Sequence, residues 1–262
     1  MEIIIGSEEA IGERGADVFA TLLTRRPGAV LGLATGSSPL RIYDALAARV
    51  RAGEISFAQA RAFTLDEYVG LPAGHPCSYR RVIEDDFTSH VDFAPGAVQG
   101  PDGTADDLDA ACAAYEDAIA AAGGIDLQIL GIGTDGHIGF NEPGSSLGSR
   151  TRVKTLTAQT RRDNARFFGG DADAVPRHCL TQGIGTILSA RQIVLVATGE
   201  AKAEAVAQMA EGAVSALWPA TALQHHPRVT VLLDEAAASQ LRLADYYRDA
   251  YAGRHLVGAT RS

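Results

Sequence analysis

The chain of 262 residues is 46% hydrophobic and 21% charged, the balance of an ordinary globular protein, and it is long enough to bury a large core. Its net charge of -9 argues against general nucleic-acid binding, because neutralising phosphates requires a basic surface; an anionic ligand has to be held by a local cluster of donors. Cys77, Cys112 and Cys179 are odd in number, widely spaced and without a CxxC pair, so neither a disulfide framework nor a zinc site is indicated.

Ile3 to Ile5 reads as a first strand. Glu2 stands where a signal peptide carries basic charge, and the apolar run is too short to be exported or to cross a bilayer, so a cytoplasmic protein without membrane association is expected. A helix follows from Ser7 to Leu23, then a strand from Val30 to Leu33. The next residues, Ala34-Thr35-Gly36-Ser37-Ser38-Pro39-Leu40, open a helix reaching Ala52 with proline near its first turn. Backbone N-H groups, hydroxyls and the positive end of the helix converge there, which makes a phosphate cradle of Thr35, Gly36, Ser37 and Ser38. An ordinary helix cap by Thr35 or Ser37 explains the same residues. The loop has neither GxxxxGK[ST] nor GxGxxG spacing, which weakens any case for ATP or a dinucleotide.

Ala62 to Leu65 is a third strand, and Asp66 emerges from its carboxyl end, either to cap the following turn or to serve as a base. Helices are expected over Ser78 to Phe87 and Ala105 to Ala122. In the second, Cys112 shares helical spacing with Leu108, Tyr115 and Ile119 and belongs to the core. The strand Leu127 to Leu130 then runs into Gly131-Ile132-Gly133-Thr134-Asp135-Gly136-His137-Ile138-Gly139-Phe140-Asn141-Glu142-Pro143. Asp-Gly is a common turn dipeptide, but a turn needs neither a second carboxylate nor four glycines. Asp135, His137 and Glu142 lie where open α/β sheets collect ligands, just beyond a strand's carboxyl end.

From Ser145 to Ile184 the alternation breaks: the stretch is polar, contains glycine and shows no clear period, the habit of a lid or binding loop. It concentrates Arg150, Arg152, Lys154, Arg161, Arg162 and Arg166 in an otherwise acidic chain, a run that a solvated face also explains. Ile193 to Ala197 is a strand, and Lys202 falls in the first turn of the helix Glu200 to Glu211. A cation there conflicts with the helix dipole unless an anion is also present, although an exposed lysine remains an alternative. His225-His226 point apart with no third ligand spaced to join them, so surface histidines rather than a metal site are expected. A strand at Val229 to Leu233 and a helix over Ala236 to Tyr247 complete the chain. Short apolar runs alternating with amphipathic segments describe one α/β domain over residues 1–262, a mostly parallel sheet flanked by helices, with a lid at about 145–184.

The residues Leu33 to Pro39, Leu65 to Leu71, Asp135 to Pro143, Ser145 to Lys154 and Gly183 to Thr186 together resemble the glucosamine-6-phosphate deaminase family, also called glucosamine-6-phosphate isomerases. The similarity spans nearly the whole chain and is densest from about Leu31 to Lys202. It implies a Rossmann-like α/β fold and, in amino-sugar catabolism, conversion of glucosamine 6-phosphate and water into fructose 6-phosphate and ammonia, with no cofactor and no metal. Position by position, it implies that Asp66 moves a proton between C2 and C1 and that His137 opens the sugar ring, oriented by Asp135 and Glu142. Asp66 has to stay ionised to act as a base. Thr35, Gly36, Ser37, Ser38, Arg166 and Lys202 match the family's phosphate-binding positions. Some members are hexamers activated by N-acetylglucosamine 6-phosphate at positions matching Ser145, Arg152 and Lys154; others are monomers, and the tail Ala244 to Gly253 departs from the allosteric type.

Two rivals share this fold. A 6-phosphogluconolactonase has the phosphate loop and an Asp-Gly-His turn but needs no base at C2, so Asp66-Glu67-Tyr68 and Glu142 favour the deaminase. A sugar-phosphate-sensing regulator has this fold without catalysis but carries an N-terminal helix-turn-helix, which is not expected with a sheet beginning at residue 3; a stand-alone, non-catalytic sensor stays open as an alternative.

Overall fold

The computed structural model describes residues 1–72 and 74–254. In chain order the elements are β1 (Glu2–Ile5), α1 (Glu8–Arg25), β2 (Val30–Leu33), α2 (Leu40–Arg51), β3 (Arg61–Thr64), β4 (Asp66–Tyr68), α3 (Tyr79–Asp86), β5 (Val98–Gln99), α4 (Leu108–Ala121), β6 (Leu127–Leu130), β7 (Arg152–Thr155), α5 (Ala158–Asn164), β8 (His178–Thr181), α6 (Ile184–Leu188), β9 (Ile193–Ala197), α7 (Ala203–Glu211), β10 (Val229–Leu233) and α8 (Ala244–Gly253). Helix starts follow local chemistry. Ser7 accepts from the Ala10 N-H with Glu8 and Glu9 in the first turn of α1, and Asp107 accepts from the Ala110 N-H to begin α4.

Seven strands form one parallel sheet in the order β1-β10-β9-β6-β2-β3-β5. β2, β6, β9 and β10 are buried at every residue, as strands covered on both faces must be, and this is why they read as mostly apolar runs, broken only by Gln128 in β6 and Thr230 in β10. From β2 the chain winds outward to β3 and β5, whereas from β6 it winds the other way to β9 and β10. The crevice at the carboxyl ends of β2 and β6 is therefore the topological switch point, the place where such sheets bind ligands.

A second, antiparallel sheet runs β4-β8-β7, pairing Asp66 with Thr181 and Arg152 with Thr181 on the other side. It covers its own apolar cluster of Tyr68, Phe140, Leu156, Ala165, Val175 and Cys179. The 145–184 stretch is thus more regular than its sequence suggests: it contains β7, α5 and β8. β7 reads Arg-Val-Lys-Thr, with one apolar residue and no fully buried position, so it carries no hydrophobic signal.

Two further expectations are corrected. The last helix begins at Ala244 rather than Ala236, because Glu211 accepts the N-H groups of Arg242 and Leu243 at 3.0 and 2.9 Å and so diverts the backbone ahead of α8. His226 is buried rather than superficial, with Nε2 2.7 Å from the Ala190 carbonyl; His225 is exposed. Cys112 is buried as expected. Among the described residues no helix is long and apolar enough to cross a membrane.

Candidate active site

The phosphate cradle is built on the end of β2. The Tyr43 hydroxyl of α2 accepts from the Ala34 N-H and donates to the Ala34 carbonyl, which pins the start of the loop. Gly36 then turns with φ +91°, a conformation that a side chain would strain. Neither Thr35 nor Ser37 caps α2: the helix begins after Pro39 with no side-chain cap. The main-chain N-H groups of Gly36, Ser37 and Ser38 donate to no acceptor among the described residues. Unpaired N-H groups before a helix are what an anion satisfies, which favours the cradle over the cap. Ser38 Oγ lies 3.3 Å from where a Cβ on Gly131 would sit, so this loop touches the one that follows β6.

The two cations expected to hold the phosphate lie close enough to each other to interact. Lys202 closes a short 3-10 turn, Glu200–Lys202, ahead of α7. Arg166 sits in another, Ala165–Phe167, with its guanidinium 4.7 Å from the Phe167 ring centroid. Burial and the neighbouring Arg166 charge push the Lys202 amine below its ordinary value, against a weaker opposing pull from Asp135. Neither cation forms an ion pair within 4 Å among the described residues, unlike Arg150, which pairs with Glu116, and Arg161, which pairs with Asp173. Two like charges that act on each other, neither closely paired, are an arrangement that a phosphate relieves.

Around His137 the backbone folds tightly. The Gly133 N-H donates to the His137 carbonyl at 2.8 Å, and a Cβ on Gly133 would fall 2.2 Å from the imidazole, so only glycine allows the ring to lie there. His137 Nδ1 meets Asp135 Oδ1 at 2.7 Å, an ion-pair contact without the alignment of a regular hydrogen bond. Burial raises the Asp135 carboxyl, but the contacts with His137 outweigh it and leave it below the usual carboxylate range. Glu142 stands apart from this pair. Its Oε1 accepts from the N-H and hydroxyl of Thr157 at 3.3 and 3.2 Å and from the Thr160 hydroxyl, at the start of α5. No His137–Glu142 ion pair occurs among the described residues, so here one carboxylate, not two, orients the imidazole.

Asp66 reaches the same loop. The Phe140 N-H donates to Thr181 Oγ1 at 3.0 Å, and Thr181 is the cross-strand partner of Asp66. Asp66 Oδ2 lies 3.7 Å from a Cβ placed on Gly139, two residues beyond His137. The carboxyl is 7% exposed, and burial followed by the charge of Glu67 pushes its pKa up to about 8. Too little water and one like charge surround Asp66, and both oppose the ionised form that a base requires. Ser145 and Arg152 both rest on the next turn. Ser145 Oγ is buried without a partner, Arg152 donates to Asn141 Oδ1 at 2.9 Å, and Lys154 follows Arg152 on the same face of β7.

Sequence reasoning missed Thr157 and Thr160, the residues that hold Glu142. A Thr-x-x-Thr pair ahead of a helical stretch was the available signal. It also gave Glu67 no role of its own, although the residue stands beside Asp66. Among the described residues there is no cluster of ligands for a metal ion.

An α/β sheet with an anion cradle at its switch point and an acid-base pair beside it defines a protein that handles a phosphorylated small molecule. The sequence profile of the glucosamine-6-phosphate isomerases/6-phosphogluconolactonase family matches residues 7–232, and the chain belongs to that family. Glucosamine-6-phosphate deaminases of Beutenbergia cavernae and Mycolicibacterium smegmatis are each 69% identical to it, over 97% and 96% of this chain and 98% and 97% of theirs. A solved monomeric glucosamine-6-phosphate deaminase superposes with a TM-score of 0.89 at 44% identity, covering 92% of this chain and all of that one. The 6-phosphogluconolactonase of Thermotoga maritima shares the fold, with a TM-score of 0.70 at 18% identity over 89% of this chain and 99% of its own.

Proposed function

We propose that the chain is a glucosamine-6-phosphate deaminase, an enzyme that isomerises the aldose to a ketose and releases the amine: glucosamine 6-phosphate and water give fructose 6-phosphate and ammonia. The observation that carries the choice is the buried Asp66 beside the His137 loop, which the cradle also touches. In the proposed division of labour, Thr35, Gly36, Ser37, Ser38, Arg166 and Lys202 hold the phosphate. His137, steadied by Asp135, passes a proton to the ring oxygen and opens the pyranose. Asp66 takes the proton from C2 and returns it to C1, while a proton passes from the C2 ammonium to the C1 oxygen, leaving an iminium that water hydrolyses to the ketone and ammonia.

The raised pKa of Asp66 has a use in this scheme. A substrate ammonium at C2 stabilises the adjacent carboxylate, so binding of the correct ligand ionises the base. A lactone brings no cation and draws no such response, which argues against the lactonase reading. Residues 145–184 serve as the lid of a single-domain enzyme: Arg166 carries one end of it to the phosphate, and Glu142 holds the start of α5. Ser145, Arg152 and Lys154 are carried forward as the seat of an N-acetylglucosamine 6-phosphate activator in a homo-oligomer, supported by the unpartnered Ser145 hydroxyl. The enzyme acts in the cytoplasm in this reading, apart from membranes and nucleic acid.

Purified protein supplied with glucosamine 6-phosphate is expected to release ammonia and fructose 6-phosphate in equal amounts. Hydrolysis of 6-phosphogluconolactone with no ammonia from the amino sugar would overturn the reading.

A further inference from the structure

Glu67 follows Asp66 in β4, so its side chain leaves the strand on the opposite face. It is 8% exposed, as buried as the base itself. Its carboxylate accepts three main-chain N-H groups: those of Tyr68 and Tyr79 on Oε1 at 2.8 and 2.9 Å, and that of Arg80 on Oε2 at 2.9 Å. Tyr79 and Arg80 open α3, whose own cap is Ser78. Three charge-assisted hydrogen bonds offset the loss of water around a buried carboxylate and fix it in one orientation. The anchored helix start then returns to the site. The Tyr79 hydroxyl bonds that of Tyr68 at 3.2 Å, and the Tyr79 ring stacks on Phe140 with centroids 5.9 Å apart and planes within 10°. Phe140 lies between His137 and Glu142.

We propose that Glu67 is a positioning residue for Asp66, tying the strand that carries the base to the start of α3 and holding a fixed negative charge beside it. This rests on the deaminase reading, in which Asp66 is the base. The groups that face Asp66 from the packed elements are Tyr79 of α3, Tyr115 of α4 and Cys179 of β8, with Glu67 and Tyr68 on its own strand. Burial holds the phenols and the thiol above their ordinary values, so they are neutral at neutral pH. Glu67 is thus the formal charge set against the base, and the arrangement keeps Asp66 protonated until a cationic substrate arrives.

The charge and the anchoring separate in two variants. Glu67→Gln keeps the length and one acceptor oxygen but removes the charge. The acid limb of its kcat/KM profile is expected to move to lower pH by about half a unit or more, with KM within about twofold. Glu67→Asp keeps the charge but falls short of α3; kcat is expected to drop about tenfold with the acid limb unmoved. Carbon-13 NMR titration of the Asp66 carboxyl in the unliganded protein reads the same coupling without turnover, and its midpoint is expected to fall in Glu67→Gln. Equal midpoints in the two proteins overturn the proposal, even for an active deaminase. A lowered midpoint in a protein that releases no ammonia leaves the coupling standing and removes the deaminase reading. If Glu67→Gln fails to fold by circular dichroism, a folded Glu67→Asp with unaltered kcat overturns it.

Discussion

The two ends of the site are built on opposite principles. The proposed phosphate end stands on the large parallel sheet, where unpaired backbone N-H groups and hydroxyls line a loop that turns on a glycine, and it draws on Lys202 and Arg166, which have no close ion pair among the described residues. The base end stands on the small antiparallel sheet, where Asp66 is buried among phenols and beside a second carboxylate. One end is charged and waits for an anion. The other is dry, carries a suppressed charge and waits for a cation. In the proposed reading, a ligand with a phosphate at one end and an ammonium at the other satisfies both. On the proposed function, substrate choice is electrostatic at both poles, with opposite signs.

Changing one pole should leave the other intact. Asp66→Asn has the largest expected effect: steady-state assays should show turnover reduced by about a thousandfold, the scale of a lost general base, with phosphate-dependent affinity within about twofold. If this variant kept near-normal turnover, the base would lie elsewhere. Lys202→Ala acts at the opposite pole and should raise KM by about tenfold or more while kcat changes only a few-fold, because a phosphate contact binds ground and transition states alike. A fall in kcat at constant KM would instead make Lys202 part of the chemistry.

The smallest effect sharpens the contrast through stability. The Asp66 pKa rises on folding from an ordinary 3.8 to about 8, so between those values the folded state binds more protons than the unfolded one. Its contribution is present below the unfolded value and is lost as pH rises toward 8. Asp66→Asn removes this cost, and its melting temperature should exceed that of the unaltered protein by a few degrees at pH 8. The gap should close at pH 3. Thermal scans at the two pH values measure it, and a gap independent of pH would contradict the assignment of a raised carboxyl.

The large sheet was legible because each of its central strands is buried on both faces and writes an apolar run. Val30 to Leu33, Leu127 to Leu130, Ile193 to Ala197 and Val229 to Leu233 match the observed strands. The small sheet was not legible. β4 begins with two acids and β7 alternates charge with one valine, so their strand character comes from pairing with β8 rather than from local preference. The candidate catalytic residues could still be named, since Asp66, Asp135, His137 and Glu142 follow short and specific patterns. Their environments could not. The partners of Glu142 lie 15 and 18 residues away, and the three N-H groups that hold Glu67 belong partly to a helix that starts 12 residues on. Such contacts depend on how loops fold back, which periodicity does not encode.

Because the anion cradle belongs to one sheet and the proton acceptor to another, their separation is set by backbone packing and not by any adjustable side chain. The molecule therefore works as a ruler. A five-carbon amino sugar phosphate is expected to turn over more slowly than the six-carbon one, and a side-by-side assay of the two reads whether the framework judges chain length.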